Sequence, residues 1–192
     1  MRIITLLLLL FGWSYLSQAH DDHKEKTTKR LYLVRHAKSS HEDPNLKDFD
    51  RPLNNRGRRD APTMGTKLRT AGIILDHIIA SPSRRTRQTA KLLLERMAID
   101  IDKVNWDQSI YRCASRVLRE RILKIDDAYN NVMIFGHNPA ITSTANFFQK
   151  DSLIENVPTT GVVAIEFHIS SWAEADSTNG KLLFFEQPVT NK

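Results

Sequence analysis

Two apolar runs, Leu31-Tyr32-Leu33-Val34 and Val132 to Phe135, each end on a histidine: Arg35-His36 follows the first and Gly136-His137 the second. This pairing constrains the fold more than any other feature of the chain. A short, continuous apolar run is the pattern of a strand buried on both faces of a sheet. In an open α/β sheet the carboxyl ends of such strands line one crevice, so two imidazoles far apart in sequence converge there. Arg35 beside His36 marks that crevice as a place for an anion, because a guanidinium stays charged and presents forked donors to a phosphoryl group.

From Leu31 onward, apolar runs alternate with helical patterns, the signature of crossover units feeding a parallel sheet. Strands are expected near 31–35, 77–80, 103–106, 131–135, 162–168 and 181–186, and helices near 56–70, 83–97, 114–125 and 138–149. The fold class is therefore α/β, a three-layer sandwich with a mostly parallel central sheet flanked by helices. Asn138-Pro139 predicts a cap followed by a first-turn proline, and Pro62 is expected near the start of its helix or at a bend in it. Ser39 to Leu53, rich in Asp, Pro and Asn, is expected as a long surface loop after the first strand, and such loops carry function.

The chain divides into residues 1–19, 20–30 and 31–192. In the first segment Arg2 is the one charge, the apolar stretch from Ile3 to Leu16 is shorter than the about 20 residues of a membrane span, and Ser17-Gln18-Ala19 offers small residues for cleavage. A signal peptide removed after Ala19 is the expectation, with an uncleaved anchor as the alternative, so the protein is expected to be exported, periplasmic or secreted, without stable membrane insertion. Residues 20–30 are expected as a flexible leader, in which His20-Asp21-Asp22-His23 lacks the surroundings that orient metal ligands. The rest is one domain. The formal charge of +6 attracts anions, but no nucleic-acid recognition motif accompanies it, so it is read as a solvated basic surface. Cys113 is the one cysteine; it has no nucleophile signature and is read as a small, buried or half-buried side chain.

Five motifs occur in order: Leu33 to Ser40 (LVRHAKSS), Asp50 to Asn54 (DRPLN), Arg56 to Pro62 (RGRRDAP), Ser81 to Ala90 (SPSRRTRQTA) and Gly136 to Pro139 (GHNP). With them the chain resembles the histidine phosphatase superfamily and, within it, the SixA-type phosphohistidine phosphatases, from residue 31 to about 170. The resemblance implies a phosphoglycerate mutase-like fold, with His36 as nucleophile, Arg35 and Arg85 as phosphate clamps and His137 as a further phosphate donor. Ala37 departs from the superfamily's usual glycine, although alanine is familiar in the SixA-like branch.

A histidine nucleophile must be neutral to attack phosphorus while its pocket stays positive enough to bind a dianion, and arginines reconcile the two. Attack by His36 would form a phosphohistidine that water then hydrolyses. Among the neighbouring arginines, Arg84, Arg87, Gln88 and Lys91 share one helical face, read as solvated, and Arg85 points elsewhere. Arg85 also falls at the family's arginine position, counted back from Gln88-Thr89. Arg51 has two readings: a substrate-binding residue near the phosphate, as the resemblance implies, or a surface arginine paired with Asp48 or Asp50. His41, His77 and His168 match no motif and are read as surface or structural histidines. No metal and no other cofactor is expected, since no metal-ligand spacing occurs.

Phosphomutase-like relatives carry a glutamate after the third strand that protonates an alcohol leaving group. Here the comparable stretch is Asp107 to Tyr111, without glutamate. An alkoxide leaves badly without an acid, whereas imidazole, with a pKa of about 6.5, departs far more easily. The expected function is a metal-independent phosphatase acting on phosphohistidine or a related phosphorylated group, on a protein or a small molecule. Asp107 is the candidate substitute acid. The alternatives are an exported phosphomonoesterase of broad specificity and a non-catalytic phosphate-binding envelope protein.

Overall fold

The structure is a computed structural model and describes residues 26–188. The proposed signal peptide and the His20-Asp21-Asp22-His23 cluster lie outside these residues. Six strands form one sheet: β1 (Thr27–Arg35), β2 (His77–Ala80), β3 (Val104–Trp106), β4 (Asn131–Gly136), β5 (Val162–Ile169) and β6 (Gly180–Glu186), in the order β3-β2-β4-β1-β5-β6. The pairs β3-β2, β2-β4 and β4-β1 are parallel, and β5 pairs antiparallel with both β1 and β6. The helices are α1 (Asn55–Thr70), α2 (Arg84–Arg96), α3 (Ser115–Ile122) and α4 (Ala140–Phe148).

Alternation along the central strands sorts the core into two layers, because successive side chains of a strand face opposite sides of its sheet. Leu31, Leu33, Val132, Ile134, Val163 and Ile165 pack with Leu118 and Ile122 of α3 and with Ile141, Ala145 and Phe148 of α4. Tyr32, Val34, Met133, Phe135, Ile78 and Ala164 face the other way, against Met64 and Leu68 of α1 and Ala90, Leu93 and Leu94 of α2. With both faces covered, these strands read as continuous apolar runs rather than alternating ones. Among the described residues no helix is long and apolar enough to cross a membrane.

The differences from expectation are local. The strand β1 begins at Thr27, inside the segment read as leader, because Thr27 to Arg30 pair with β5 from Ile169 to Glu166. Within it Lys29 is buried; its Nζ donates to the carbonyls of Asp127 and Tyr129 and lies over the Trp172 ring. A lysine in that place hides the strand from any hydropathy pattern. Pro62 lies inside a continuous α1 rather than at its start. Helix α4 begins at Ala140, one residue past Pro139, and Asn138 Oδ1 accepts from the Thr142 N–H. Helix α3 is shorter than read and ends at Ile122.

Candidate active site

The strand β1 runs out beside β4, with Arg35 opposite Gly136. The His36 N–H donates to the Gly136 carbonyl, the Arg35 N–H to the Gly161 carbonyl, and the Thr160 N–H to the Arg35 carbonyl, so the backbone that carries His36 is held from both sides. Ala37 is fully buried beside Leu53 and Ala61, and its N–H donates to Thr89 Oγ1. The methyl group has a packed place and its backbone lies outside the left-handed region, so this position takes a Cβ without strain. Helix α1 comes so close behind this turn that a Cβ on Gly57 would lie 2.3 Å from the Lys38 carbonyl oxygen. The glycine of the RGRRDAP motif is what lets the helix seat there.

The His36 Nδ1 bonds the Ala37 carbonyl at 2.8 Å, and its Nε2 accepts from Arg85 Nε at 3.2 Å. A carbonyl only accepts and a guanidinium only donates, so the proton sits on Nδ1 and Nε2 carries the lone pair, which faces Arg85. Burial pulls this imidazole down to about 3; Arg85, Arg35 and Arg51 act in the same direction and the Ala37 bond opposes them. The ring is neutral at ordinary pH, as a nucleophile must be. His137 lies 5.0 Å away between ring centroids. Its Nε2 meets Ser81 Oγ at 2.8 Å and its Nδ1 meets Arg85 Nη2 at 3.2 Å, and burial brings it to about 3 as well. Both of its nitrogens are thus engaged by the protein.

Arg85 stands in the first turn of α2 and is buried, whereas Arg84, Arg87 and Lys91 are exposed. Gln88 departs from the solvated face on which it was placed: its Oε1 accepts from the Leu53 N–H at 2.7 Å and ties the loop after β1 to α2. Arg35 Nη1 donates to the Val157 carbonyl and to Asn156 Oδ1, while its buried Nε has no partner. An unpaired buried donor in such a pocket is what a phosphoryl oxygen would satisfy. The pocket holds about 200 Å³ and is lined by Arg35, His36, Lys38, Ser39, His41, Arg51, Arg85 and Thr159, none of them apolar.

Arg51 is placed beside the pocket and within an ion pair. It lines the pocket, and it is also paired with Asp48 through Nη1 at 2.9 Å, with further bonds to the Ser40 carbonyl, to Ser39 Oγ and to His41 Nε2. His41, read as a surface histidine, is exposed yet part of the pocket lining, whereas His77 stacks on Tyr129 and His168 is exposed near Thr28. Two participants carried no motif. Asp48 binds Arg85 and Arg51, and Tyr111 donates to Asp48 Oδ2 at 2.7 Å while meeting His137 edge-on. Asp107, the candidate substitute acid, accepts from the Ser109 N–H and Oγ and pairs with Arg121 at 2.8 Å, and these bonds outweigh its burial to lower its carboxyl, which disfavours proton donation. Cys113 is half-buried, with burial raising its thiol. Among the described residues no three His, Cys, Asp or Glu side chains form a group able to hold a metal ion.

A sequence model described as the histidine phosphatase superfamily (branch 1) matches residues 31–106. A solved structure assigned as the phosphohistidine phosphatase SixA from Agrobacterium tumefaciens superposes with a TM-score of 0.71 at 26% identity, over 83% of this chain and 98% of that one. A chloroplast protein of Arabidopsis thaliana is 29% identical over 161 residues, 80% of this chain and 73% of its own length. The mitochondrial serine/threonine-protein phosphatase PGAM5 of Xenopus tropicalis is 34% identical over 71 residues, which cover 37% of this chain and 25% of that protein.

Proposed function

Since the chain belongs to the histidine phosphatase superfamily, we propose that it hydrolyses phosphohistidine or a related phosphorylated group, through a covalent phosphohistidine formed at His36. The observation that carries this reading is the wiring of His36. Its proton is held on Nδ1 by a backbone carbonyl, and the lone pair of Nε2 meets Arg85 in a polar pocket that Arg35 also lines. In-line attack forms the bond from Nε2 to phosphorus as the bond to the leaving group breaks, and the Arg35 and Arg85 guanidiniums bear the charge on the phosphoryl oxygens. Water then cleaves the phosphohistidine, releasing inorganic phosphate and restoring the neutral imidazole.

Phosphohistidine is favoured as substrate because the carboxyl groups near the site are poor acids. Asp107 is locked away, and Asp48 stays ionised among arginines. A leaving imidazole needs no strong acid, while an alkoxide does. A second reading, a phosphomonoesterase of broad specificity, is favoured by the partial likeness to a serine/threonine-protein phosphatase. Assay of the purified protein against a phosphohistidine peptide and p-nitrophenyl phosphate side by side separates them. A higher kcat/KM on the peptide upholds the first reading; a preference for the ester installs the second. We take turnover to be metal-independent, so activity should survive EDTA, and a loss restored by magnesium or zinc would remove that part. Export by residues 1–19 belongs to the same proposal and is tested by N-terminal sequencing, which should find His20 first.

A further inference from the structure

The long loop after β1 puts a carboxylate where the reaction needs an anion's place. Asp48 sits in a 3-10 turn, Asp48–Asp50, within a loop pinned at both ends: Ser39 bridges to Leu53, the Ser40 N–H donates to the Pro52 carbonyl, and Gln88 holds Leu53. From there Asp48 Oδ2 takes Arg85 Nη2 at 3.0 Å, Oδ1 takes Arg51 Nη1 at 2.9 Å, and the Asp48 carbonyl takes Arg85 Nη1. Two of the pocket's arginines are therefore already engaged with one resident anion. The Tyr111 hydroxyl steadies the same oxygen that Arg85 binds, and Phe49 packs edge-on against Tyr111 at 5.0 Å.

We propose that Asp48 is a specificity-determining residue that competes with phosphoryl oxygens for the Arg85 and Arg51 guanidiniums and thereby sets how tightly the site holds phosphate, and how fast it lets phosphate go. The release half of this rests on the phosphatase reading given above; the binding half does not. Three observations support an exchange of partners. The carboxylate is about a third exposed, 32% by side-chain area, so water can rehydrate it when a phosphoryl group takes its arginines. It stays charged: burial alone would raise its carboxyl, but the Tyr111 bond and the Arg85 and Arg51 guanidiniums bring it to about 2. Finally, Arg85 has five donor hydrogens, and four of them go to His36, His137 and Asp48, so one is left, and a phosphoryl group gripped by two Arg85 donors must displace one of these partners.

A merely structural role predicts the opposite sign. If Asp48 only oriented Arg85, removing it would slacken the clamp and weaken phosphate binding. Competition predicts that Asp48→Asn, which keeps the shape and loses the charge, binds inorganic phosphate about tenfold more tightly, the scale of one charge-assisted contact. Calorimetric titration of the full chain with inorganic phosphate reads this without any turnover, so a failure of the phosphatase reading is seen separately as an absence of hydrolysis. In turnover the variant should show a lower kcat and stronger product inhibition, and Asp48→Glu should restore the native affinity. Should Asp48→Asn fail to fold, Asp48→Ser carries the same expectation. Unchanged or weaker phosphate binding in a folded variant overturns the proposal.

Discussion

The carboxyl ends of β1 and β4 lie side by side and each delivers one histidine, yet the two rings are wired for different work. His36 spends one nitrogen on a backbone carbonyl next to it, so its other nitrogen is answered by Arg85 alone. His137 spends both nitrogens on side chains, Ser81 from the end of β2 and Arg85 from α2. Burial keeps both neutral at about 3. The difference lies in what remains available. A backbone partner fixes a tautomer without competing for the reacting atom, which suits the nucleophile proposed for His36, whereas the two side-chain partners of His137 tie Arg85 through the ring to Ser81.

The sharpest way to break this contrast is to exchange the two roles. His36→Ala should lower turnover by roughly 10⁴-fold or more, while His137→Ala should keep slow turnover, down by about 10²-fold. Rapid-quench labelling from a phosphorylated substrate should place phosphate on His36 in the native protein; label on His137 or on a serine would reverse the assignment. Arg85, which touches both rings, comes next. Arg85→Ala should lose about 3 kcal/mol of transition-state stabilisation, while exposed Arg84→Ala should stay within about 0.5 kcal/mol. Steady-state kcat/KM for the two variants decides it, and the reverse ranking would mean that Arg84 is the clamp.

A test of a different kind addresses the neutrality that the two rings share. Each histidine is held below its ordinary value of 6.5 in the native state. Below pH 6.5 the unfolded chain binds protons that the folded one refuses, so their contribution to stability is complete above that pH. It is lost as the pH falls toward 3, at about 1.4 kcal/mol per pH unit for each ring. Denaturant unfolding at pH 7 and pH 5 should show the decline, and His137→Asn should reduce its slope. An unchanged midpoint in the native protein would show that the rings are charged when folded.

What could be read from the sequence follows from how local each determinant is. The strand ends announce themselves because buried strands are apolar throughout, and the offset between Arg84 and Arg85 on α2 is a matter of helical period. The start of β1 was hidden because Lys29 is buried through carbonyl partners supplied from beyond α3. Asp48 and Tyr111 were hidden for a different reason. An aspartate in a polar loop and a tyrosine after a short strand are unremarkable until the fold brings them within 2.7 Å of one another beside Arg85. Gln88 was misread because its partner, the Leu53 N–H, belongs to a loop whose path no periodicity records. Residues fixed by their own element were legible, and residues fixed by a distant one were not.

The strand order β3-β2-β4-β1-β5-β6 leaves β2, β4 and β1 with a neighbour on each side, and these three carry Ser81, His137 and His36 at their ends. Amides inside such strands exchange with solvent chiefly when the whole domain opens, whereas a loop fastened by side chains opens by itself far more often. Hydrogen exchange should therefore find Leu33, Ile79 and Ile134 among the slowest amides of the protein and the segment 41–50 among the fastest. Motion of Asp48 away from the arginines then costs only a local rearrangement, while the distance between the two imidazoles persists for as long as the domain stays folded. If Asp48 exchanges with an anion as proposed, the molecule keeps two clocks, a fast one in the loop and a slow one in the sheet that fixes the two imidazoles.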